Sequence, residues 1–511
     1  MDDERALKDF IRGGGAVFLT LSASYVLAFI YKLIIARGLG PDNLGMFEMM
    51  ITILGLISVI GGLGLGAGLK RFIPYYKLKN NEYLTGFLRT VMLIQLVTSF
   101  AASLLVILLA DKITAFFGFP DIFTTLLYII AFAVPLKKFS SIFKNVLLGH
   151  KKVLLAKLGT DVINKIIILV GALGIILLDF GVVELAVVLI VAYTITFVYY
   201  LYLYIPLSKQ FKTKKKKYEF KRWIKYSLPL IFAGLLGFLL KWTDNLVIGR
   251  MLTESDLGVY SVAFSVAMFL FMGSKIFSTI FLPIMTEYYE KNKDEFKRLF
   301  NTVRNWTVLF SLTMASVFIL FAEEILLFLF GSEYTQGTES LQVLAAFFVL
   351  ANYFFFSAKL LHLEEKTQKI LYGDIITLLL NLGITIYLVS QIGILGAAIG
   401  AGFSYFFIRY FFHLQSKKFI KIGHDPVHLI KSVILTFPAA LISYALTTVI
   451  YSLADVHFIV YIATAGVFYA MFLVIGIRYL SILKEQDMLL IETVEKYTKT
   501  NLDILKKLFF R

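Results

Sequence analysis

"LIIARGLGPDNLGMF", residues 33–47, comes back in altered form as "LVIGRMLTESDLGVY", residues 246–260. Sliding the chain on itself by 213 residues places Arg37 on Arg250, Leu39 on Leu252, Leu44 on Leu257, Gly45 on Gly258 and Phe47 on Tyr260. Each copy is a turn signal set between two apolar runs of roughly the 20 residues that cross a bilayer. A turn of the same design in both halves reads as a duplicated membrane unit.

Working outward from the two copies, fourteen spans follow: 14–36, 43–69, 87–110, 121–148, 153–178, 182–207, 226–249, 257–286, 303–330, 337–361, 368–390, 393–415, 428–452 and 456–478. The ninth is interrupted by Glu323 and Glu324, which sets "ILLFLFG" apart as an interfacial piece. Six spans separate the two copies, and an even number restores the same membrane orientation. The fold expected is therefore an all-α integral membrane protein with two parallel, pseudo-symmetric six-helix lobes plus two C-terminal helices. The divisions are residues 1–208 for the first lobe, 209–225 for a basic linker, 226–418 for the second lobe, 419–480 for the added helices and 481–511 for an amphipathic tail. In that tail Met488, Ile491, Val494, Tyr497, Leu505 and Leu508 recur at helical intervals, which suits a helix lying on the inner membrane face.

Charge tests the count. The chain of 511 residues is 59% hydrophobic and only 16% charged, against about 25% charged for a soluble domain. Even-numbered connections carry the lysines, as in "KTKKKK" at 212–217, whereas odd ones are short and mainly acidic. That alternation puts both termini in the cytoplasm by the positive-inside rule. It also explains the net charge of +16: the surplus is a topology signal that also attracts anionic membrane lipids, and nothing in its layout suits a nucleic acid. No removable signal peptide is read at the N-terminus. There is no cysteine, which excludes disulfides and thiolate metal sites.

Several apparent motifs carry no chemistry. "GGLGLGAG" at 61–68 lacks the spacing of a dinucleotide loop and follows no strand; inside a span its glycines allow close approach or bending. "HDPVH" at 424–428 offers two histidines, but Pro426 reads as the first residue of a helix with Asp425 as its cap, and no metal is expected. Pro135 and Pro283 fall inside spans and are expected to kink them. No nucleophile–base grouping, P-loop or nucleotide site is present, so neither an enzyme nor a cofactor is expected.

Arg37-Gly38-Leu39-Gly40-Pro41 with Leu44-Gly45-Met46-Phe47, the second-lobe stretch Asp244 to Arg250 with Leu257-Gly258-Val259-Tyr260, and "LFGSEY" at 329–334 together resemble the polysaccharide transporter (Wzx-type) flippases. These belong to the multidrug/oligosaccharidyl-lipid/polysaccharide exporter superfamily. The resemblance covers nearly the whole chain. It implies flipping of lipid-linked sugars from the cytoplasmic to the outer leaflet by alternating access. Lipid II flippases of that superfamily share fourteen helices and a cationic cavity.

An anionic pyrophosphate-sugar headgroup needs cations to offset its desolvation inside a membrane. Intramembrane ionisable residues are therefore the candidates. Lys32, Lys241 and Lys275 are assigned to the headgroup, with Lys165 behind them; Asp244, Asp161 and Asp374 are assigned to a coupling H+ or Na+. Each assignment has a plain counterpart: Lys32 snorkelling outward, or Lys241 with Asp244 and Asp161 with Lys165 neutralising one another on one helix face. Arg37, Gly45, Arg250 and Gly258 are read as structural. Three rivals stand beside the flippase: a multidrug antiporter, which needs an acidic centre; a membrane glycosyltransferase, which needs a sizeable aqueous loop; and a non-transporting scaffold.

Overall fold

A computed structural model describes residues 2–480 except 80, 210–212, 214–215, 421, 424–425 and 454–457, together with Met488 and Glu495. Apart from Met488 and Glu495, the expected amphipathic tail lies outside the described residues, as does the His424–Asp425 pair. The helices are α1 (Asp2–Ile60), α2 (Leu65–Lys79), α3 (Asn81–Phe117), α4 (Ile122–Gly149), α5 (Val153–Leu158), α6 (Asn164–Leu177), α7 (Val182–Lys209), α8 (Phe220–Met251), α9 (Glu254–Ala267), α10 (Met272–Lys291), α11 (Lys293–Leu320), α12 (Ala322–Phe330), α13 (Thr338–Tyr353), α14 (Ser357–Leu363), α15 (Thr367–Ile392), α16 (Ile394–Ser416), α17 (Pro426–Leu453) and α18 (Phe458–Tyr479). Among the described residues there is no strand.

Among the described residues, twelve helices are long and apolar enough to cross a membrane, and a shorter apolar stretch, Ala463–Tyr479, lies in α18. The first of the twelve holds two crossings. Within α1 the helical path breaks at Gly40 (φ 76°, ψ 174°) and resumes at Pro41. Glycine reaches that φ without strain, and proline starts a helix without needing an N–H partner. The second copy of the motif does the same job differently: α8 ends at Met251, Leu252 and Thr253 are extended, and Thr253 with Asp256 forms a capping box that opens α9. The ninth span also breaks, at Phe321 between α11 and α12, and Glu323 and Glu324 lie in the first turn of α12 and not at the break itself.

Three spans read as continuous are broken, one of them 337–361, which turns between Tyr353 and Ser357. The stretch 43–69 bends at Leu63 (φ 45°) and Gly64 (φ 64°) between α1 and α2, and the stretch 257–286 passes through a tight 3-10 turn at Met268–Phe271. Pro135 lies inside α4 and Pro283 inside α10, so the breaks sit at neither proline. A carbonyl released in an apolar setting must find a donor. Gln95 Nε2 and Thr98 Oγ1 on α3 donate to the Gly61 carbonyl at 3.1 and 2.9 Å. In the other half Asn352 Nδ2 on α13 donates to the Leu270 carbonyl at 2.7 Å.

Within the first half α4 packs between α3 and α7, and α1 lies against α6; in the second, α16 packs between α13 and α15, and α11 lies against α13. The added helices dock on the second half: α17 lies along α11, and the Tyr469 hydroxyl of α18 donates to the Thr313 carbonyl at 2.9 Å. One hydrophobic cluster joins the halves through Leu44, Met46 and Phe47 of α1 and Leu257, Val259 and Tyr260 of α9.

The seam between the halves is reciprocal. A Cβ on Gly45 would lie 1.7 Å from the Glu254 carbonyl oxygen, and one on Gly258 would lie 2.0 Å from that of Pro41; Glu254 and Pro41 are themselves repeat equivalents. Arg37 donates to the Phe328 carbonyl, while Arg250 lies 5.1 Å from the Phe116 ring. Each motif arginine therefore reaches into the opposite half, and the motif glycines let two helix backbones touch. The symmetry extends beyond the motif. Tyr76 donates to Glu219 at 2.5 Å, and its equivalent, Tyr289, donates to Glu364.

Candidate functional site

Below the glycine contact, on the side away from the motif turns, a cavity of about 280 Å³ opens between the halves. Lys32, Lys241 and Lys275 all line it, together with Glu48, Asp244, Asn245 and a wall of aromatic residues that includes Tyr25, Trp242, Tyr260 and Phe269. The three residues belong to α1, α8 and α10, separated by more than two hundred positions at the extremes. Lys32 and Lys241 meet because the pseudo-symmetric packing turns the first helix of each lobe inward, and α10 brings Lys275 to the same cavity.

Their environments differ. Lys32 neither snorkels nor stands alone. Its Nζ lies 2.8 Å from Glu48 Oε1 and donates to the Ser261 carbonyl at 2.8 Å and to Ser265 Oγ at 2.7 Å. This is a strut from α1 to α9. Its repeat equivalent, Asn245, makes the mirror contact, donating to Thr52 Oγ1 at 3.1 Å; Thr52 is the equivalent of Ser265. Lys241 lies over the Trp242 ring at 4.8 Å and Lys275 over the Tyr25 ring at 4.7 Å, so both ammonium groups face the cavity beside π surfaces that favour cations.

Asp244 does not pair with Lys241. It is 4% exposed; Tyr260 donates to its Oδ2 at 3.1 Å, and its Oδ1 has no hydrogen-bond partner. Asn381 of α15 neighbours it and carries an equally unpartnered Oδ1.

The other expected residues lie elsewhere. Lys165 donates to Ser24 Oγ and to the Ser24 carbonyl at 2.6 and 2.8 Å. Asp161 sits in a π-helical turn, Gly159–Ile163, with Lys144 Nζ 3.6 Å away and the Thr160 hydroxyl donating to it at 2.8 Å. The ion pair that forms thus bridges α4 to that turn, in place of an i,i+4 pair with Lys165. Asp374 is half-buried on α15, away from the lining of the central cavity. His428 lies against the Asn305 carbonyl at 3.3 Å.

Sequence reasoning passed over Lys137 and Lys138, consecutive lysines in the middle of the fourth span. The rule that flagged Lys32 applies equally to them. Lys137 lies 5.7 Å from the Tyr193 ring and within charge–charge range of Lys241; Lys138 points elsewhere and is taken up below. Glu48 was also missed as a partner, because it is sixteen residues from Lys32 on the far side of the Gly40 break.

Two helical halves around a cationic, aromatic-walled cavity define a multi-pass helical membrane protein. The chain belongs to the polysaccharide biosynthesis protein family, whose model matches residues 34–339, more than half of its length. A curated relative is the "probable low-salt glycan biosynthesis flippase Agl15" of Haloferax volcanii, 23% identical over 404 residues that cover 78% of this chain and 81% of that one. Among solved structures, the lipid II flippase MurJ in an inward closed conformation superposes with a TM-score of 0.69 at 16% identity, covering 91% of this chain and 99% of that one. An inward-facing multidrug resistance MATE family transporter of the MOP superfamily superposes with a TM-score of 0.64 at 17% identity, covering 79% and 97%. These solved structures establish the shared fold.

Proposed function

We propose that the protein flips a lipid-linked, pyrophosphate-bearing sugar from the cytoplasmic to the outer leaflet of a prokaryotic inner membrane by alternating access. The observation that carries this reading is the convergence of Lys32, Lys241 and Lys275 on one cavity between the halves. A buried anion is costly unless cations and hydrogen-bond donors meet it. Lys241 and Lys275 are the first contacts of the headgroup, and Lys32 joins when its strut to Glu48 opens. Tyr25, Met272 and Lys275 also line a neighbouring cavity of about 280 Å³ between α1 and α10, where Lys359 stands. The two cavities form one route, with the headgroup inside and the prenyl tail in lipid between α1 and α10.

Asp244 is the coupling residue in this scheme. Its Oδ1 is buried without a hydrogen-bond partner, and either a proton on Asp244 or a bound Na+ would satisfy it. Membrane potential supplies about 2.3 kcal/mol per charge at 100 mV. Asp161, already committed to Lys144, and Asp374, distant from the cavity, are weaker choices for the same task.

The test is a liposome flip assay with a fluorescent polyprenyl-pyrophosphate sugar. Lys241→Gln with Lys275→Gln is expected to abolish flipping without loss of folded protein. Undiminished flipping in that double variant refutes the site. No flipping by the wild type, together with efflux of cationic drugs, assigns the chain to multidrug antiport, for which Glu48 and Asp244 supply the acidic groups.

A further inference from the structure

A second lateral cavity, of about 210 Å³, lies where α1 breaks into α2, and Ser58, Gly62, Gly66, Ala67, Lys138 and Ile231 are among its lining residues. It is the pseudo-symmetric image of the cavity between α1 and α10. Val59, Gly62, Ile142 and Gly234 line the one, and Met272, Lys275, Phe355 and Leu21, their partners at the repeat offset, line the other. In one image the cation is Lys275. In the other that position is Gly62, and a different lysine has moved into the vacated space: a Cβ on Gly62 would lie 2.6 Å from Lys138 Nζ. The cationic position has thus been kept while the residue supplying it moved to α4.

Lys138 is 8% exposed. Among the described residues it makes no hydrogen bond or ion pair, and no carboxylate lines the cavity. A buried ammonium without a partner is among the costliest arrangements a protein can hold. Ser58, also 8% exposed, has a hydroxyl with no partner. The helix α2, of 15 residues, begins at this cavity, and the first-turn amides of Gly66 and Ala67 have no acceptor within the helix. That end of the helix carries positive partial charge. Ammonium, hydroxyl and amides all donate, and they call for an anion with several acceptor oxygens. Of the remaining lining, Gln95 and Ser141 are polar, and Val59, Leu230, Ile231 and Ile142 are apolar.

We propose that this cavity binds the phosphate group of a lipid, with Lys138 as its counter-ion and Ser58 and the first amides of α2 as donors. Gly62 is glycine because the ammonium needs its space. The apolar walls take the first carbons of the lipid tail. The site stands on this geometry and not on the flippase reading.

The experiment uses the full-length protein in detergent, in a Lys241→Gln, Lys275→Gln background that removes the central cations. Thermal unfolding and native mass spectrometry are read with a polyprenyl monophosphate, with phosphatidylglycerol and with inorganic phosphate. The expected result is binding and a raised Tm with at least one phospholipid. Lys138→Gln weakens that binding at least about tenfold, the loss of one charge-assisted hydrogen bond, and Ser58→Ala weakens it less. Stabilisation by inorganic phosphate as strong as by the lipids keeps the phosphate site and overturns its assignment to lipid. An unliganded Lys138→Gln protein that is more stable than its parent, with ligand binding unchanged, overturns the site: the lysine is then only an unpaired charge. Because binding is read without transport, a failed flip assay leaves this result standing, and the reverse also holds.

Discussion

Replacing Gly45 by alanine tests whether the reciprocal glycine contact closes one end of the central cavity. The new methyl carbon would begin 1.7 Å from the Glu254 carbonyl oxygen and 2.7 Å from its carbon. Both are backbone atoms of a capped helix, so no side-chain rotation relieves the clash. The seam must open by more than 1 Å to bring that carbon past the 3.0 Å that real contacts respect. Overpacking of this kind costs about 1–3 kcal/mol. Alanine also favours the helix by about 1 kcal/mol over glycine, but it does so whether the seam is open or shut. The conformational equilibrium therefore feels only the clash, a shift of roughly 5- to 150-fold at 1.4 kcal/mol per factor of ten. The chain has no cysteine, so spin labels can be placed at exposed Asp121 and Ser332, one on each half at the motif end. Double electron–electron resonance should show a dominant short distance in the parent and a longer population in Gly45→Ala, larger again when Gly258→Ala is added. An unchanged distance distribution in the double variant refutes the claim that these glycines hold the seam.

Four further outcomes are expected. Glu48→Gln leaves Lys32 with only the Ser261 carbonyl and Ser265 hydroxyl, and should cost about 3–5 kcal/mol of stability; adding Lys32→Gln should recover much of it in thermal unfolding. Asp244→Asn should leave downhill exchange of substrate intact while removing its dependence on an imposed proton or Na+ gradient, measured in proteoliposomes. The Tyr76 hydroxyl is pushed up to about 12 by burial and then by Glu219. Its value in the fold exceeds the ordinary one of about 10, so its stabilisation holds below pH 10 and is lost as pH rises towards 12; Tyr76→Phe should flatten that alkaline loss in a pH series of unfolding curves. Tyr469→Phe removes the hydrogen bonds from α18 to Thr313 and Ser316 of α11 and should lower stability by about 1–2 kcal/mol, with the two-half core unaffected in limited proteolysis.

Much of this architecture is written locally. Whether a stretch such as 182–207 crosses a membrane depends on its own apolar length, because transfer into lipid is summed over contiguous residues. The repeat is equally legible, since Arg37 and Arg250, and Gly45 and Gly258, stand at one offset whatever the fold does with them. Composition also identified Lys32, Lys241 and Lys275 as residues a membrane helix does not carry idly. Only the tertiary structure decided what each charge meets. The direction a helix side chain faces is set by rotation about the helix axis, and that rotation is fixed by packing against segments far away in sequence. So Lys32 met Glu48 across the Gly40 break and Ser265 across the seam, and Asp161 met Lys144 on another helix in place of its own neighbour Lys165. The same reason hid Lys138. At the repeat offset, Lys275 falls on a glycine and the cation looks lost; in space, a lysine from α4 stands beside that glycine.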